Sequence, residues 1–273
     1  MVKITLSKLK ICSRFIQRLN SANHWEVHSK FTHAVNLVNA SGEMLTFLTQ
    51  NRVVAPYSVT LPILQLDDWR MVQRRFIPKG DIRGELEKYH FDFEEIDLRV
   101  LNKKGNTEWS KGLYSSVQSF SVRKSFNLLK WLQYHDFSDP EIREFQSCCF
   151  SDSGSWSKEF LKHWVGRGLG LTPSGDDFLV GLGFVLKVLS QNSQQYFELL
   201  DDMKRSTTFM SEYMFNCAVD GLFVEPLNRL CRTNDAQEME RYLEELVQIG
   251  HSSGQDMFMG LWFGLKYAFF ECR

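Results

Sequence analysis

Residues 166–186 read GRGLGLTPSGDDFLVGLGFVL, and residues 250–265 read GHSSGQDMFMGLWFGL. With Ser253 set on Ser174, SGDDFLVGLGF lies over SGQDMFMGLWF without a gap, at a spacing of 79 residues. Six of the eleven positions are identical, and apolar residues match apolar ones between them, which marks a duplicated helix start rather than coincidence. A helix that is apolar on nearly every side is a central one, so the second half of the chain is expected to rest on two pseudo-repeated core helices. Gly181 and Gly260 fall at matching points in the two runs. Glycine inside a helix costs about 1 kcal/mol relative to alanine, and a close crossing of the two helices at these glycines is the simplest reason for it.

The starts of the two runs carry polar chemistry. Ser174-x-x-Asp177 and Ser253-x-x-Asp256 fit a capping box with Asp in place of Glu or Gln, which makes both aspartates expected caps. Asp176 has no twin, because Gln255 takes its place, and an additional carboxylate on a helix start that already has a cap is the stronger candidate for chemistry. Asp177 is the second catalytic candidate. Upstream, Arg167, Gly168, Gly170 and Thr172 resemble an anion-binding loop, in which small residues let backbone N–H groups approach a ligand. Ser174, Gly175, Ser253 and Gly254 would complete such a site at the helix N-termini. The stretch is neither a P-loop nor a dinucleotide fingerprint, since it lacks the spacing of both. His251, two positions before Ser253, is the candidate proton donor or acceptor. Asp176 and Asp177 can instead hold Mg2+ through water.

Further out, the chain changes character. FTHAVNLVNASGEMLTFLTQ gives two strand-like runs around Ala40-Ser41-Gly42, a hairpin signal. VVAPYSVTLPIL and FDFEEIDLRVL supply further extended candidates. Asn36, polar within an apolar strand, needs a partner when buried and is a candidate to line the cleft. From Ser116 onward apolar residues recur at helical spacing, notably over 195–231 and 236–249. The expected fold is therefore α+β: a mostly-β part over 1–115, barrel-like in one version, and a helical part over 116–273, with the boundary near 112–118.

Composition excludes several classes. A formal charge of -1 over 273 residues gives no basic surface for nucleic acid or anionic membrane. The N-terminus is interrupted by Lys3, Lys8, Lys10, Arg14 and Arg18, unlike a signal peptide. Cysteines at 12, 148, 149, 217, 231 and 272 show neither zinc nor disulfide spacing. A soluble, cytoplasmic protein is expected.

The strings WVGRGLGLTPSGDD, Trp164 to Asp177, and GHSSGQD, Gly250 to Asp256, together with AVNLVNASGEMLTFLTQ, resemble the AllH family. That resemblance implies a subunit of oxamate carbamoyltransferase in anaerobic allantoin and purine breakdown. Such a subunit would work with two partner subunits, one of them similar to succinyl-CoA synthetases. The implied reaction is attack of phosphate on oxalurate to give oxamate and carbamoyl phosphate. Two other roles stay open at the level of sequence: a module that binds a small anion without catalysis, and a structural partner whose capped helices only build a core.

Overall fold

The computed structural model describes residues 9–22, 24–50, 52–61, 93–127, 130–131, 158–189 and 193–270. The chain divides into two compact units, Met1–Leu98 and Arg99–Arg273.

The first unit carries strands β1 (Leu9–Cys12), β2 (Glu26–Lys30), β3 (Ala34–Val38), β4 (Met44–Thr49), β5 (Ser58–Leu61) and β6 (Phe93–Ile96), with helix α1 (Phe15–Leu19) after β1. Their order in the sheet is β2-β3-β4-β5-β1-β6. β4 pairs with β5 and β1 with β6 in parallel, and the other neighbours are antiparallel. The expected hairpin is β3–β4. Asn39 Oδ1 accepts the N–H groups of Ser41 and Glu43 at 3.0 and 2.9 Å, and Gly42 takes the positive φ of 76° that the turn needs. All four residues of β5 are buried, whereas β2 alternates between exposed and half-buried residues, as an edge strand does. Among the described residues β2 and β6 lie at opposite edges, so the sheet is open rather than barrel-like. Phe15 of α1 meets Phe47 of β4 edge-on at 5.5 Å and buries part of the sheet.

The second unit is helical. Helix α2 (Thr107–Arg123) begins at Asn106, whose side chain accepts the Trp109 N–H. Residues 112–118, where the composition changes, lie inside this helix. There follow α3 (Lys158–Trp164), α4 (Ser174–Leu189), α5 (Ser193–Met203), α6 (Phe209–Val219), α7 (Glu225–Leu230), α8 (Ala236–Val247) and α9 (Ser253–Phe270). α8 is amphipathic: Met239, Tyr242, Leu243 and Leu246 face the core at spacings of three and four. α4 is buried along its length from Ser174 to Leu186, as a run apolar on all sides requires.

α4 and α9 cross at their glycines, as the sequence implies. A Cβ on Gly181 would stand 1.9 Å from the Met257 carbonyl oxygen, and one on Gly260 would stand 1.9 Å from that of Phe178. Around this crossing lie Phe178, Leu182, Val185, Phe258 and Leu261. Among the described residues, no helix is long and apolar enough to cross a membrane. Cys12, Cys217 and Cys231 are buried, without a disulfide among the described residues; Cys148, Cys149 and Cys272 lie outside them.

Candidate functional site

Both copies of the repeat are helix–loop–helix units, α3 into α4 and α8 into α9. In each, the glycine after the serine packs against the end of the preceding helix. A Cβ on Gly175 would lie 2.1 Å from the Trp164 carbonyl oxygen, and one on Gly254 would lie 1.9 Å from that of Leu246. The same glycines donate their N–H groups back to the loop, Gly175 to Arg167 O at 2.8 Å and Gly254 to Ile249 O at 3.0 Å. In each loop the next residue is a glycine with positive φ, Gly168 at 117° and Gly250 at 62°. The correspondence then breaks. Leu169, Gly170 and Leu171 have no counterpart, because His251 follows Gly250 directly where Thr172 stands in the first copy.

The helices start one residue earlier than a capping box requires. Asp177 N–H bonds the Pro173 carbonyl at 3.2 Å, and Asp256 N–H bonds that of Ser252 at 2.9 Å. Pro173 and Ser252 therefore receive the first helical bonds, and the serines already lie inside the helices. Among the described residues neither oxygen of Asp177 has a donor in hydrogen-bond geometry, and Asp256 accepts instead from the Trp131 indole N–H at 2.7 Å. The aspartates are not caps.

Asp176 is 1% exposed, and both its oxygens have donors: Gly166 N–H at 2.7 Å and the Thr207 hydroxyl at 2.5 Å. Burial raises its pKa, opposed by Gly166, Thr207 and the nearby Ser211 hydroxyl. These bonds hold the start of the glycine loop to α4 and to the segment ahead of α6. That gives the carboxylate singled out above as the stronger chemical candidate a structural role as well.

Asp177 is in the opposite situation. It is 0% exposed, and burial pushes its pKa well above the usual carboxylate range. The Ser253 hydroxyl opposes this, the Asp256 charge adds to it, the Thr172 hydroxyl opposes it, and Asp176 adds to it. The two hydroxyls lie near enough to act through their dipoles, but their hydrogen bond is to each other, Thr172 Oγ1 to Ser253 Oγ at 3.0 Å. A helix N-terminus favours a carboxylate by about 0.3–1 kcal/mol, whereas an unpaired buried charge costs several. Burial wins, and the carboxyl keeps its proton well into the range where an exposed aspartate is ionised. Beside it, Trp131 bonds Asp256 and stacks on Trp164 at 5.3 Å and on Phe178 at 5.0 Å. Two paired helix starts thus place Asp177, Asp256, Thr172 and Ser253 together.

The remaining candidates are dispersed. Arg167 donates to His163 Nε2 at 2.5 Å, which makes that imidazole nitrogen an unprotonated acceptor. Gly168, Gly170 and His251 lie exposed in the two loops. Ser174 is buried. Asn36, in the first unit, donates to Ser29 Oγ at 2.9 Å and accepts from Thr46 at 2.8 Å, so the sheet provides the partners it needs. As a shared Mg2+ chelate the Asp176–Asp177 pair does not fit. Neighbouring residues on a helix point about 100° apart; here one faces Gly166 and Thr207, the other Thr172 and Ser253. Among the described residues no group of three or more His, Cys, Asp or Glu is placed to hold a metal. Sequence reasoning missed Trp131, Thr207 and the pairing of Asp256 with Asp177. Only the last had a visible signal, since Asp256 occupies the twin position.

Two family models match the chain. The AllH family N-terminal domain matches residues 7–98, nearly all of the first compact unit. The model described as oxamate carbamoyltransferase subunit AllH matches residues 164–265, from Trp164 at the end of α3 into α9, and so contains both helix starts. No solved structure matches the chain. With the sheet unit and the paired helix starts both matched, the chain belongs to the AllH family.

Proposed function

We propose that this subunit takes part in carbamoyl transfer between oxalurate and phosphate, and that Asp177 manages the proton of the leaving nitrogen through the Thr172–Ser253 hydroxyl pair. The observation that carries the proposal is a buried carboxyl that no donor among the described residues bonds, close to two hydroxyls bonded to each other. In the reaction a phosphate oxygen forms a bond to the carbamoyl carbon. The bond from that carbon to the oxamate nitrogen breaks, and the nitrogen keeps the electron pair and needs a proton. Monohydrogen phosphate brings one proton into the reaction, and the product amide carries one more on that nitrogen, so the balance closes without an outside acid. A carboxyl held protonated by burial can give its proton to a hydroxyl while that hydroxyl passes its own to the nitrogen. The carboxylate then recovers the proton released from phosphate. Partner subunits complete the site, and the setting is cytoplasmic allantoin and purine catabolism.

A second reading is that the chain is a structural or anion-binding partner without a chemical role. It is favoured by the complete burial of Asp177 and by the internal bonds of the Gly175 and Gly254 N–H groups, which leave those two amides no donor for an anion. Reconstitution with the partner subunits decides between them. Asp177→Asn in the assembled complex should lower kcat for carbamoyl phosphate formation from oxalurate by about 10²-fold or more, within the range of general acid–base contributions. An assembled Asp177→Asn complex with wild-type turnover would leave the structural reading.

A further inference from the structure

The twin serines of the repeat have different surroundings. Ser174 is buried, whereas Ser253 is half-buried at the start of α9, and its hydroxyl is the one bonded to Thr172, at 3.0 Å. Gly250 keeps that oxygen uncovered, since a Cβ there would stand 3.3 Å from Ser253 Oγ. On the inner side lies Asp177, fully buried, with no donor in hydrogen-bond geometry among the described residues and with the Ser253 and Thr172 hydroxyls as its polar neighbours. A reachable hydroxyl, a second hydroxyl in hydrogen-bond contact with it and a buried carboxyl behind both are the parts of an activated nucleophile. Ser253 also sits in the first turn of an 18-residue helix, whose positive dipole end favours negative charge developing on its oxygen. Thr172 is the poorer nucleophile of the pair, because its methyl crowds the oxygen.

We propose that Ser253 is the catalytic nucleophile and that the carbamoyl group passes from oxalurate to phosphate by way of an ester on Ser253 Oγ. This rests on the carbamoyl-transfer reading above and adds an intermediate to it. In the first half-reaction Ser253 Oγ forms a bond to the carbamoyl carbon, and the bond from that carbon to the oxamate nitrogen breaks. The nitrogen keeps the electron pair and takes a proton from the Thr172 hydroxyl. Asp177 restores that hydroxyl and recovers the proton that Ser253 gives up. In the second half-reaction an oxygen of monohydrogen phosphate forms a bond to the carbamoyl carbon, and the bond to Ser253 Oγ breaks. The serine oxygen keeps that electron pair and takes the proton released by phosphate. The halves sum to oxalurate and phosphate giving oxamate and carbamoyl phosphate. Splitting the transfer also means that the two anionic substrates, which repel each other, need not be held in contact at once.

The test is exchange of radiolabelled phosphate into carbamoyl phosphate by the assembled complex, with neither oxalurate nor oxamate present. A carbamoyl ester on the enzyme makes that exchange run, whereas direct attack of phosphate on oxalurate gives it no route. The wild-type complex should exchange, and Ser253→Ala should abolish both exchange and turnover. Peptide mass analysis of the complex, quenched in acid after mixing with carbamoyl phosphate, should place one carbamoyl group on Ser253. Turnover without exchange overturns the proposal, as does full exchange by Ser253→Ala or a carbamoyl group found on Thr172 or on a partner subunit. If Ser253→Ala does not assemble, wild-type exchange and the position of the carbamoyl group still decide. The two proposals fail separately. A complex that forms carbamoyl phosphate from oxalurate without exchange removes only the ester, whereas an Asp177→Asn complex with full turnover and intact exchange removes only the proton role.

Discussion

Gly181 of α4 and Gly260 of α9 occupy each other's backbone space: a Cβ on the first would reach 1.9 Å from Met257 O, and one on the second would reach 1.9 Å from Phe178 O. Each helix uses its glycine to admit the main chain of the other. The crossing therefore fixes where the N-termini of both helices lie, and with them Asp177 and Asp256.

The sign of a glycine-to-alanine change follows from this contact. Alanine gains about 1 kcal/mol of helix propensity at any mid-helix site. At Gly181 and Gly260 that gain is outweighed, because backbone cannot rotate away as a side chain can, and overpacking costs about 1–3 kcal/mol or more. Gly112 on α2 has only Met239 Cε at 4.0 Å from the new Cβ, so the propensity gain stands alone. Urea unfolding should show Gly181→Ala and Gly260→Ala destabilised by roughly 1–3 kcal/mol, and Gly112→Ala stabilised by about 0.5–1 kcal/mol. Equal stability of Gly181→Ala and Gly112→Ala would contradict the crossing.

The buried acid gives a pH dependence. The folded pKa of Asp177 is raised, so the folded chain binds this proton more tightly than the unfolded chain, whose value is about 3.9. Its contribution to stability is fully present below that unfolded value and is lost as pH rises through the folded pKa. Asparagine is neutral throughout and nearly isosteric. Melting curves of wild type and Asp177→Asn should nearly coincide at pH 4 and separate as pH rises, with the variant the more stable by about 1–3 kcal/mol at pH 9, the range for leaving a buried polar group unsatisfied. The Asp176 shift is present in both proteins and cancels in the difference. A constant gap across that interval would mean that Asp177 is ionised in the fold.

How much of this the sequence discloses depends on the distance over which each feature is decided. The β3–β4 hairpin is legible because Asn39, Ser41 and Gly42 settle the turn locally. The repeat and its glycine crossing are legible because two apolar helices with aligned glycines have few other reasons for them. The capping box was misplaced because S-x-x-D reads the same whether the serine is the cap or the first helical residue, and the carbonyls of Pro173 and Ser252 decide that. The different surroundings of Asp176 and Asp177 are decided over a longer range. Adjacent residues on a helix face different neighbours, and whether a donor waits for each depends on Thr207, 31 residues on, and on Trp131, which meets Asp256 across 125 residues.

The aromatic bond to Asp256 should be separable from the aromatic stack. Trp131→Phe keeps a ring against Trp164 and Phe178 but removes the indole N–H that Asp256 Oδ1 accepts. A buried acceptor that loses its donor costs about 1–3 kcal/mol. Pairing Trp131→Phe with Asp256→Asn in a double-mutant cycle should give a coupling of about 0.5–3 kcal/mol. Additive losses would mean that the indole contributes through packing alone.

Asp176 makes the most stringent test of the loop. Its Oδ1 takes Gly166 N–H and its Oδ2 takes the Thr207 hydroxyl, so one side chain ties the end of α3 to the segment ahead of α6. Asp176→Ala leaves the Gly166 N–H without its acceptor and should cost about 1–3 kcal/mol. Thr207→Val removes only one of the two bonds and should cost less, about 0.5–1.5 kcal/mol for a net hydrogen bond. The loss is local before it is global, because the loop opens without unfolding the α4–α9 crossing. Hydrogen exchange should therefore accelerate at Gly166 and Gly175 in the Asp176 variant, while amides in the middle of α4 keep protection close to that of the wild type. If the middle of α4 loses protection to the same degree, Asp176 supports the whole helical core. If the Gly166 amide keeps its wild-type rate, the carboxylate does not hold the loop.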